Sequence, residues 1–170
     1  MSLGFAAIAA CAALATQAAA QMASTASPSG APMPDPGSRP IYATIRLDGG
    51  FQVDPFPIGV IAGGSYSASD LGTDCIGNIN PERADAKVEF ANGRRPLSIY
   101  AAAGSDVALV VHTPSGRWVC TDDTTDGGIN PAITFDRPAD GTYAVWVAAV
   151  DASSRPVPAV LVISEFPPTW

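Results

Sequence analysis

Short apolar runs recur along the chain from Ile41 onward, and glycine, asparagine, aspartate and proline separate them. Runs rich in valine, isoleucine, tyrosine and threonine with such boundaries are typical of β-strands joined by tight turns. No window of about a dozen residues carries the apolar stripe of an amphipathic helix. The pattern therefore predicts an all-β domain over residues 41–166, an antiparallel β-sandwich of jelly-roll type with eight or nine strands.

The strand pattern fits nine segments of this domain. The predicted strands are Tyr42–Leu47, Ile58–Ala62, Ala86–Phe90, Leu97–Ala102, Ala108–His112, Arg117–Thr121, Ala132–Phe135, Thr142–Ala149 and Ala159–Glu165. Side chains alternate between the two faces of a strand, so Tyr143 and Trp146 are expected on opposite faces. The run Val107–Val111 is apolar on both faces, which indicates a strand in the middle of a sheet.

The chain starts with an uncharged, alanine-rich stretch that is small or apolar from Gly4 to Ala20. It ends in three alanines before Gln21, which fits the small-residue rule for signal-peptide cleavage. Residues 1–20 are therefore predicted to be a signal peptide. Two alternatives are a transmembrane helix, for which the length is near the minimum, and a lipoprotein, because Ile8–Cys11 resembles a lipoprotein cleavage box. Cleavage after Ala20 predicts a periplasmic or secreted protein without a membrane span.

Residues 21–40 are dominated by alanine, serine, proline and glycine, and they are predicted to be a disordered linker. Residues 167–170 are predicted to be a flexible tail. The chain has 9 Lys and Arg against 16 Asp and Glu, a net charge of −7, and none of these residues lies in the predicted signal peptide. Such an acidic surface repels nucleic-acid phosphates. The expected partner is a protein or a polysaccharide of the cell envelope, and not a nucleic acid.

Two cysteines, Cys75 and Cys120, follow the predicted signal peptide. An even pair in an oxidising compartment predicts a disulfide, which would tie the loop before the third predicted strand to the strand that contains Trp118. A zinc site matches less well, because no histidine accompanies the two thiols. A catalytic thiol is the remaining alternative.

The densest group of polar side chains follows Cys120. Asp122, Asp123, Asp126 and Asn130 lie close together in sequence, and glycines in the same segment allow tight backbone turns. Hard oxygen ligands in a flexible loop are what calcium requires, and Asp106 could reach the same end of the sandwich. The alternative is an acidic turn whose side chains bond their own backbone amides. Both interpretations are open from the sequence.

The chain is predicted not to be an enzyme. Serine-type hydrolysis requires a histidine base, a carboxylate and an activated nucleophile. The one histidine, His112, ends an apolar strand, and no G-x-S-x-G stretch is present. The acidic residues cluster at turns, whereas a glycosidase needs two facing carboxylates. A serine-type hydrolase is kept as a remote alternative.

Several pieces of the chain carry a family resemblance. They are Cys75–Ile79, Ser105-Asp106 leading into Ala108–Val111, Thr113–Cys120, Asp122-Asp123, Ile129–Pro131 and Gly141–Val147. Together they resemble bacterial pre-peptidase C-terminal-type domains and, more closely, secreted proteobacterial proteins described as peptidase S1-like. The resemblance implies a jelly-roll-like accessory or binding module, with calcium at aspartate-rich loops. Val107-Ala108 depart from the acidic and hydroxyl residues of that pattern, which puts a calcium role for Asp106 in doubt.

We therefore expect a non-catalytic secreted or periplasmic module, calcium-stabilised if the acidic loop binds the ion, that engages an envelope or extracellular protein. Aromatic side chains suggest an alternative. Trp118, Tyr143 and Trp146 lie on predicted strands, and an exposed group of this kind would form a sugar-stacking platform. The same residues would otherwise pack in the core of a small sandwich.

Overall fold

The computed structural model describes residues 32–123, 130–151 and 157–169. The chain divides into two units, Met1–Gly30 and Ala31–Trp170, and every described residue lies in the second. That unit is built from β-strands in two sheets, which confirms the predicted all-β sandwich.

Eleven strands and one short 3-10 helix are present among the described residues. The strands are β1 Ala43–Asp48, β2 Phe56–Ala62, β3 Tyr66–Ser67, β4 Asn78–Ile79, β5 Ala86–Ala91, β6 Leu97–Ala103, β7 Val107–His112, β8 Trp118–Thr121, β9 Ala132–Phe135, β10 Gly141–Ala149 and β11 Val157–Ser164, and the helix is Ala68–Asp70.

Strand β10 is the centre of the seven-stranded sheet. On one side it pairs with β5, which pairs with β1, and further along the same side with the short β4 and β3. On its other side lies β7, followed by β8. The four-stranded sheet has the order β2-β11-β6-β9. Strand β10 therefore has hydrogen-bonded neighbours along both of its edges.

One ladder departs from the antiparallel pattern that the sequence predicts. β1 and β5 run parallel, with Ala43 opposite Ala86 and Asp48 opposite Ala91. Parallel neighbours need a long crossover connection. Here the chain supplies one, because it passes through β2 in the other sheet and through β3 and β4 before it returns as β5.

All nine predicted strands are present, with ends that shift by one or two residues. The sequence missed β3 and β4, since a strand of two residues has no alternation to detect. Val107–His112 lies between β8 and β10 and is buried over its first five residues, which confirms its expected central position.

The main core lies between the two sheets. Tyr143, Val145 and Val147 of β10 face Leu161 and Ile163 of β11 across the sandwich, and all five are at most 1% exposed. Burying a side chain of this size stabilises the fold by about 1.5–3 kcal/mol. This interior layer holds the two sheets together.

A second apolar cluster lies on the other face of the seven-stranded sheet. There the segment between β2 and β5 folds over the sheet and places Tyr66, Cys75 and Ile79 against Val110 and Trp146. We call residues 63–84 the cover segment. Within this segment two stretches of chain pass so close that a Cβ at position 64 would lie 2.1 Å from the carbonyl carbon of Ile79, so this position requires glycine.

The Cys75–Cys120 disulfide joins this cover segment to strand β8. The sulfur atoms are bonded across a sequence separation of 45 residues, and the Cα atoms are 5.0 Å apart. The predicted pairing is confirmed, and it is compatible with a periplasmic or extracellular location.

The predicted disordered linker includes residues 32–40, and this part differs from the prediction. The Asp35 side chain accepts a hydrogen bond from the Gly37 amide, and the Asp35 carbonyl accepts from Ser38. Pro34 and Pro40 are buried. Local turn bonds and two buried proline rings therefore order a stretch whose composition alone indicates disorder.

Asp85 is a buried carboxylate immediately before β5. It is 3% exposed, and its Oδ2 accepts a 2.7 Å hydrogen bond from the Val147 amide. Removal from water raises the pKa of Asp85 to about 7, and the Val147 bond opposes this shift in part. The carboxyl group thus bonds to the β10 backbone at the point where the β5 ladder ends.

Candidate functional site

The three candidate sugar-binding aromatics do not share an exposed surface. Tyr143 faces the interior, 1% exposed, and its hydroxyl donates to the Ala139 carbonyl. Trp146 is fully buried on the opposite face, and its indole N–H donates to the Asn80 carbonyl. The predicted sugar-stacking platform of Trp118, Tyr143 and Trp146 is therefore wrong. Tyr143 and Trp146 pack in the core, and Trp118 packs against it. This burial arises from the tertiary structure, because other parts of the chain cover both faces of β10.

Trp118 is half-buried on the outer strand β8. Its ring lies 5.3 Å from the ring of Trp146 and 4.8 Å from the ring of His112, measured between centroids. Burial lowers the pKa of His112, which favours the neutral imidazole. These ring contacts give His112 a packing role, and they lend no support to serine-type hydrolysis.

The acidic residues predicted to bind calcium come together in part. Burial is the largest cause of the raised pKa of Asp106, and the charges of Asp123, Asp151 and Asp122 raise it further. The sequence missed Asp151, which lies far along the chain. Asn130 is half-buried. Mutual repulsion of this kind marks a place where a cation would be favourable.

The described residues alone do not complete a calcium site. No group of three or more histidine, cysteine, aspartate or glutamate side chains within 32–123, 130–151 and 157–169 is arranged to hold a metal ion. Asp126 belongs to the predicted ligand set but lies outside the described residues.

A cavity of about 380 Å³ opens on the seven-stranded sheet at the ends of β1, β5 and β10. Arg46 and Glu89 line it and form a 2.6 Å ion pair that is exposed to solvent. Exposed pairs of this type contribute about 0–1 kcal/mol. Because the charged groups already satisfy each other, this cavity is a weaker candidate than the surface of the other sheet.

Among the described residues, the strands of the four-stranded sheet contribute no charged side chain to its outer face. We call this outer face the uncharged face. Its outward-pointing strand residues are Pro57, Gly59, Ile61, Ser98, Tyr100, Ala102, Ala132, Thr134, Pro158, Val160, Val162 and Ser164. Of these, Ser98, Val162 and Ser164 are buried. Burial and then the charge of nearby Asp54 raise the pKa of Tyr100 on this face. Ile61 and Val160 are each 43% exposed. In a chain of net charge −7, an exposed apolar surface without charge is a mark of an interaction site.

A shallow hollow of about 360 Å³ lies at one end of this face. Ala102, Ala103 and Gly104 line it side by side with Pro158–Val160 of the neighbouring strand β11. The hollow exists because the small side chains at the end of β6 leave space beside Val160, which is 43% exposed. Its lining is apolar apart from backbone atoms.

The free edge of the sheet beside this face is protected. The amide of Ile61 donates to the Tyr42 hydroxyl rather than to a neighbouring strand. Pro57 and Gly59 share the orientation of Ile61 in β2, and proline has no N–H to offer. The Ile61–Tyr42 hydrogen bond and Pro57 discourage the addition of a strand at this edge, and the face of the sheet stays accessible.

The sequence contains a signal for this face in strand β11. Residues 157–163, Val-Pro-Ala-Val-Leu-Val-Ile, are apolar at both alternating sets of positions. β11 lies between β2 and β6, and its outward set meets Ile61 and Ala102 in register. A strand that is apolar on both faces indicates burial of both, by the protein itself or by a partner.

No protein-family model matches this chain, and no curated protein is found to be similar in sequence. The resemblance to pre-peptidase C-terminal-type domains therefore stays a prediction. None of the helical segments in the described part of the chain has the length and apolar character that a membrane crossing requires.

Proposed function

We propose that this chain is a non-catalytic secreted or periplasmic binding module that engages an envelope or extracellular protein through the uncharged face. The observation that carries the proposal is the exposed apolar surface of the β2-β11-β6-β9 sheet, to which the described strand residues contribute no charged side chain. Water is displaced from such a surface at a gain of about 25 cal/mol per Å² of apolar area.

The composition of the face favours a protein over a polysaccharide. Sugar-binding surfaces combine aromatic rings with several hydrogen-bonding side chains, since the ligand is covered with hydroxyl groups. The uncharged face has one aromatic residue, Tyr100, and its exposed large apolar side chains are Ile61 on the edge strand β2 and Val160 on β11. Apolar side chains of a protein partner are the chemical match for this surface.

Export supports the same proposal. The uncharged, alanine-rich residues 1–20 fit a signal peptide, and the Cys75–Cys120 disulfide fits an oxidising compartment. The expected partner is therefore a protein of the envelope or the extracellular medium.

Replacing Val160 with lysine tests the proposed surface. We expect V160K to reduce capture of the partner about tenfold or more, because the contact would bury an ammonium group without a counter-charge. The chain is immobilised, exposed to envelope and medium fractions of the cells that produce it, and the bound proteins are quantified by mass spectrometry. Glycan arrays are probed in parallel.

V53K is the matched control for this experiment. Val53 is 62% exposed and lies in the loop before β2, so the same substitution adds the same charge away from the uncharged face. The proposal predicts capture by the wild type and V53K and loss by V160K. Equal capture by V160K, or retention on glycans that V160K abolishes, would contradict it.

Calcium binding by the acidic loop is a further part of the proposal. Asp106, Asp122, Asp123, Asp126 and Asn130 are the candidate ligands. At a calcium concentration ten times the Kd, linkage gives about 1.4 kcal/mol, and we expect the melting temperature to rise by roughly 4 °C over chelator. Sodium chloride of equal ionic strength controls for screening, and D123N should cancel the calcium effect. Melting at the same temperature in calcium and chelator would eliminate the ion.

A further inference from the structure

We infer that residues 166–170, which we call the tail segment, fold back over one end of the uncharged face, pack Trp170 against Tyr100, and are displaced when a partner binds there. The displacement rests on the proposed function, whereas the position of the segment does not. The covered end of the face is formed by Ser98, Tyr100, Val162 and Ser164. Trp170 itself lies outside the described residues.

Burial on the uncharged face is uneven. Val160 and Val162 both point outward from strand β11, but Val160 is 43% exposed and Val162 is 9% exposed. Ser98 and Ser164 lie opposite each other in the β6–β11 ladder and are 0% and 2% exposed. Outward-pointing residues of a sheet that faces water are expected to be exposed. The covered end is therefore shielded by chain that lies over the sheet.

Side chains within the sheet do not account for the burial of Ser98. Its two cross-strand neighbours are Ser164 and Thr134, which are small, and Thr134 is exposed. Asp54 covers the other side of β11, toward β2, where its carboxylate accepts a hydrogen bond from the Glu165 amide. The shielding of the β6 side has to come from a different part of the chain.

The chain leaves β11 in the direction that this shielding requires. It bends at Glu165 and Phe166, and the Phe166 amide donates a 3.0 Å hydrogen bond to Oγ of the outward-pointing Ser164. This bond turns the backbone toward the outer face. The guanidinium carbon of Arg95 lies 5.6 Å from the centroid of the Phe166 ring, and Arg95 leads into β6. The bend therefore directs the tail segment toward the strand that carries Tyr100.

The length of the tail segment matches the distance to Tyr100. From Phe166, four residues in extended proline-type conformation span about 12 Å. Tyr100 is paired with Val162, so it lies about 13 Å back along the strand from Phe166 and about 4.8 Å to the side. The two aromatic side chains bridge the difference. Pro168 is half-buried, although the two residues beside it are exposed, so the segment contacts the body of the protein.

The chemistry of the segment suits this position. Trp170 brings a large apolar ring, and the covered end offers the ring of Tyr100 and the methyl groups of Val162 without a charged strand residue. The two prolines restrict the unbound conformations of the segment, which lowers the entropy lost on ordering. A tether of a few residues also keeps Trp170 at an effective concentration in the millimolar range, so a weak contact is sufficient.

The first experiment measures solvent access to methyl groups. A soluble nitroxide is added to methyl-labelled full chain and to a variant that ends at Phe166, and methyl relaxation is compared by NMR. We expect removal of residues 167–170 to raise the relaxation at Val162 at least threefold and to leave Val160 unchanged. Val53, 62% exposed in the loop before β2, is the internal control. An unchanged Val162 would show that its neighbours in the sheet shield it, and the inference would be wrong.

The second experiment locates Trp170. In the full chain we expect nuclear Overhauser effects between its indole protons and the ring of Tyr100, assigned by their loss in W170A. Y100A should raise acrylamide quenching of Trp170 at least twofold, measured against W170F counterparts of each protein. Y42A is the matched control, since Tyr42 is 41% exposed before β1 and contacts the β2 edge, and it should leave the quenching unchanged. Melting curves verify that the variants fold. No Overhauser effect and unchanged quenching in Y100A would disprove the contact.

The capture assay separates this inference from the proposed function. The variant that ends at Phe166 should capture at least threefold more partner than the wild type, because no segment competes for the covered end. Equal capture, with Val162 uncovered, would refute the displacement and leave the position of the segment established. If V160K captures normally, the proposed function fails and the displacement with it, while the nitroxide and Overhauser results still decide where the segment lies.

Discussion

Replacing both Cys75 and Cys120 with alanine should lower the free energy of unfolding by about 4 kcal/mol, the value expected on the chain-entropy account for a loop of the observed length. The bond spans 45 residues, so the unfolded chain gains much freedom when it is absent. Losses of this size are a large part of the 5–15 kcal/mol that stabilises a typical domain.

The position of the disulfide predicts which part of the protein loosens when the bond is removed. Cys75 lies in the cover segment, residues 63–84, and Cys120 lies on β8, so the pair fixes the cover over Trp146. Without it, amide exchange should rise first in the cover segment, including at the Cys75 amide, which bonds to the Gly72 carbonyl. The main core between the sheets should be affected only through global unfolding.

Urea unfolding of the wild type, the reduced wild type and C75A/C120A measures the effect. The reduced wild type controls for the lost sulfur contacts, since it keeps both side chains. We expect both forms to unfold at lower urea than the oxidised protein. A double variant within 1 kcal/mol of the wild type would show that the bond contributes little, and free thiols in the exported protein would refute the pairing.

Asp85→Asn is expected to stabilise the protein by about 4 kcal/mol at pH 8 and to have little effect at pH 4. The pKa of this carboxyl is raised from 3.8 to about 7 by burial, so the folded state holds its proton where the unfolded state has released it. Each pKa unit corresponds to about 1.4 kcal/mol. The contribution of Asp85 to stability is therefore complete below pH 4 and is lost as the pH rises from about 4 to 7.

Asparagine at position 85 keeps the hydrogen-bond acceptor that Asp85 provides to the Val147 amide. Its amide oxygen can accept the 2.7 Å hydrogen bond from the Val147 amide, and it carries no charge at any pH. Alanine removes the acceptor and leaves a buried N–H without a partner, which costs about 1–3 kcal/mol. D85A should therefore be less stable than D85N at every pH.

Urea unfolding at four pH values between 4 and 8 tests this prediction. The difference between wild type and D85N isolates the contribution of Asp85, because all other titrating groups are common to both proteins. It should grow as the pH rises and level off near pH 8. If D85N were less stable than the wild type at pH 8, the buried carboxylate would be a stabilising charge, and its inferred pKa would be wrong.

The sequence alone was sufficient to predict the longer strands and the disulfide. Alternation and turn residues located all nine of the longer strands, and cysteine parity located the pair Cys75 and Cys120. Strand alternation is a local pattern and the number of cysteines can be counted, so both can be used without knowledge of the tertiary structure. The two-residue strands and the parallel β1–β5 ladder carry no such signal.

The candidate site was less accessible from sequence. The strand pattern leaves Trp146 and Tyr143 open to core packing or to an exposed platform, and only the apolar clusters on the two faces of β10 show that both are enclosed. Asp85 looks like an ordinary turn aspartate in Ala84–Ala86, and the burial that shifts its pKa comes from distant chain. Asp151 joins Asp106 only through folding.

By itself, the order of residues determined that this chain forms strands, where they begin and end to within two residues, and which cysteines can join. These properties depend on backbone preference and on the period of apolar side chains along one strand. Only the tertiary structure decided which apolar faces the protein covers with its own segments. The cover segment buries the outer face of one sheet, and the other sheet keeps Ile61 and Val160 exposed, because burial depends on what the distant chain brings to each face.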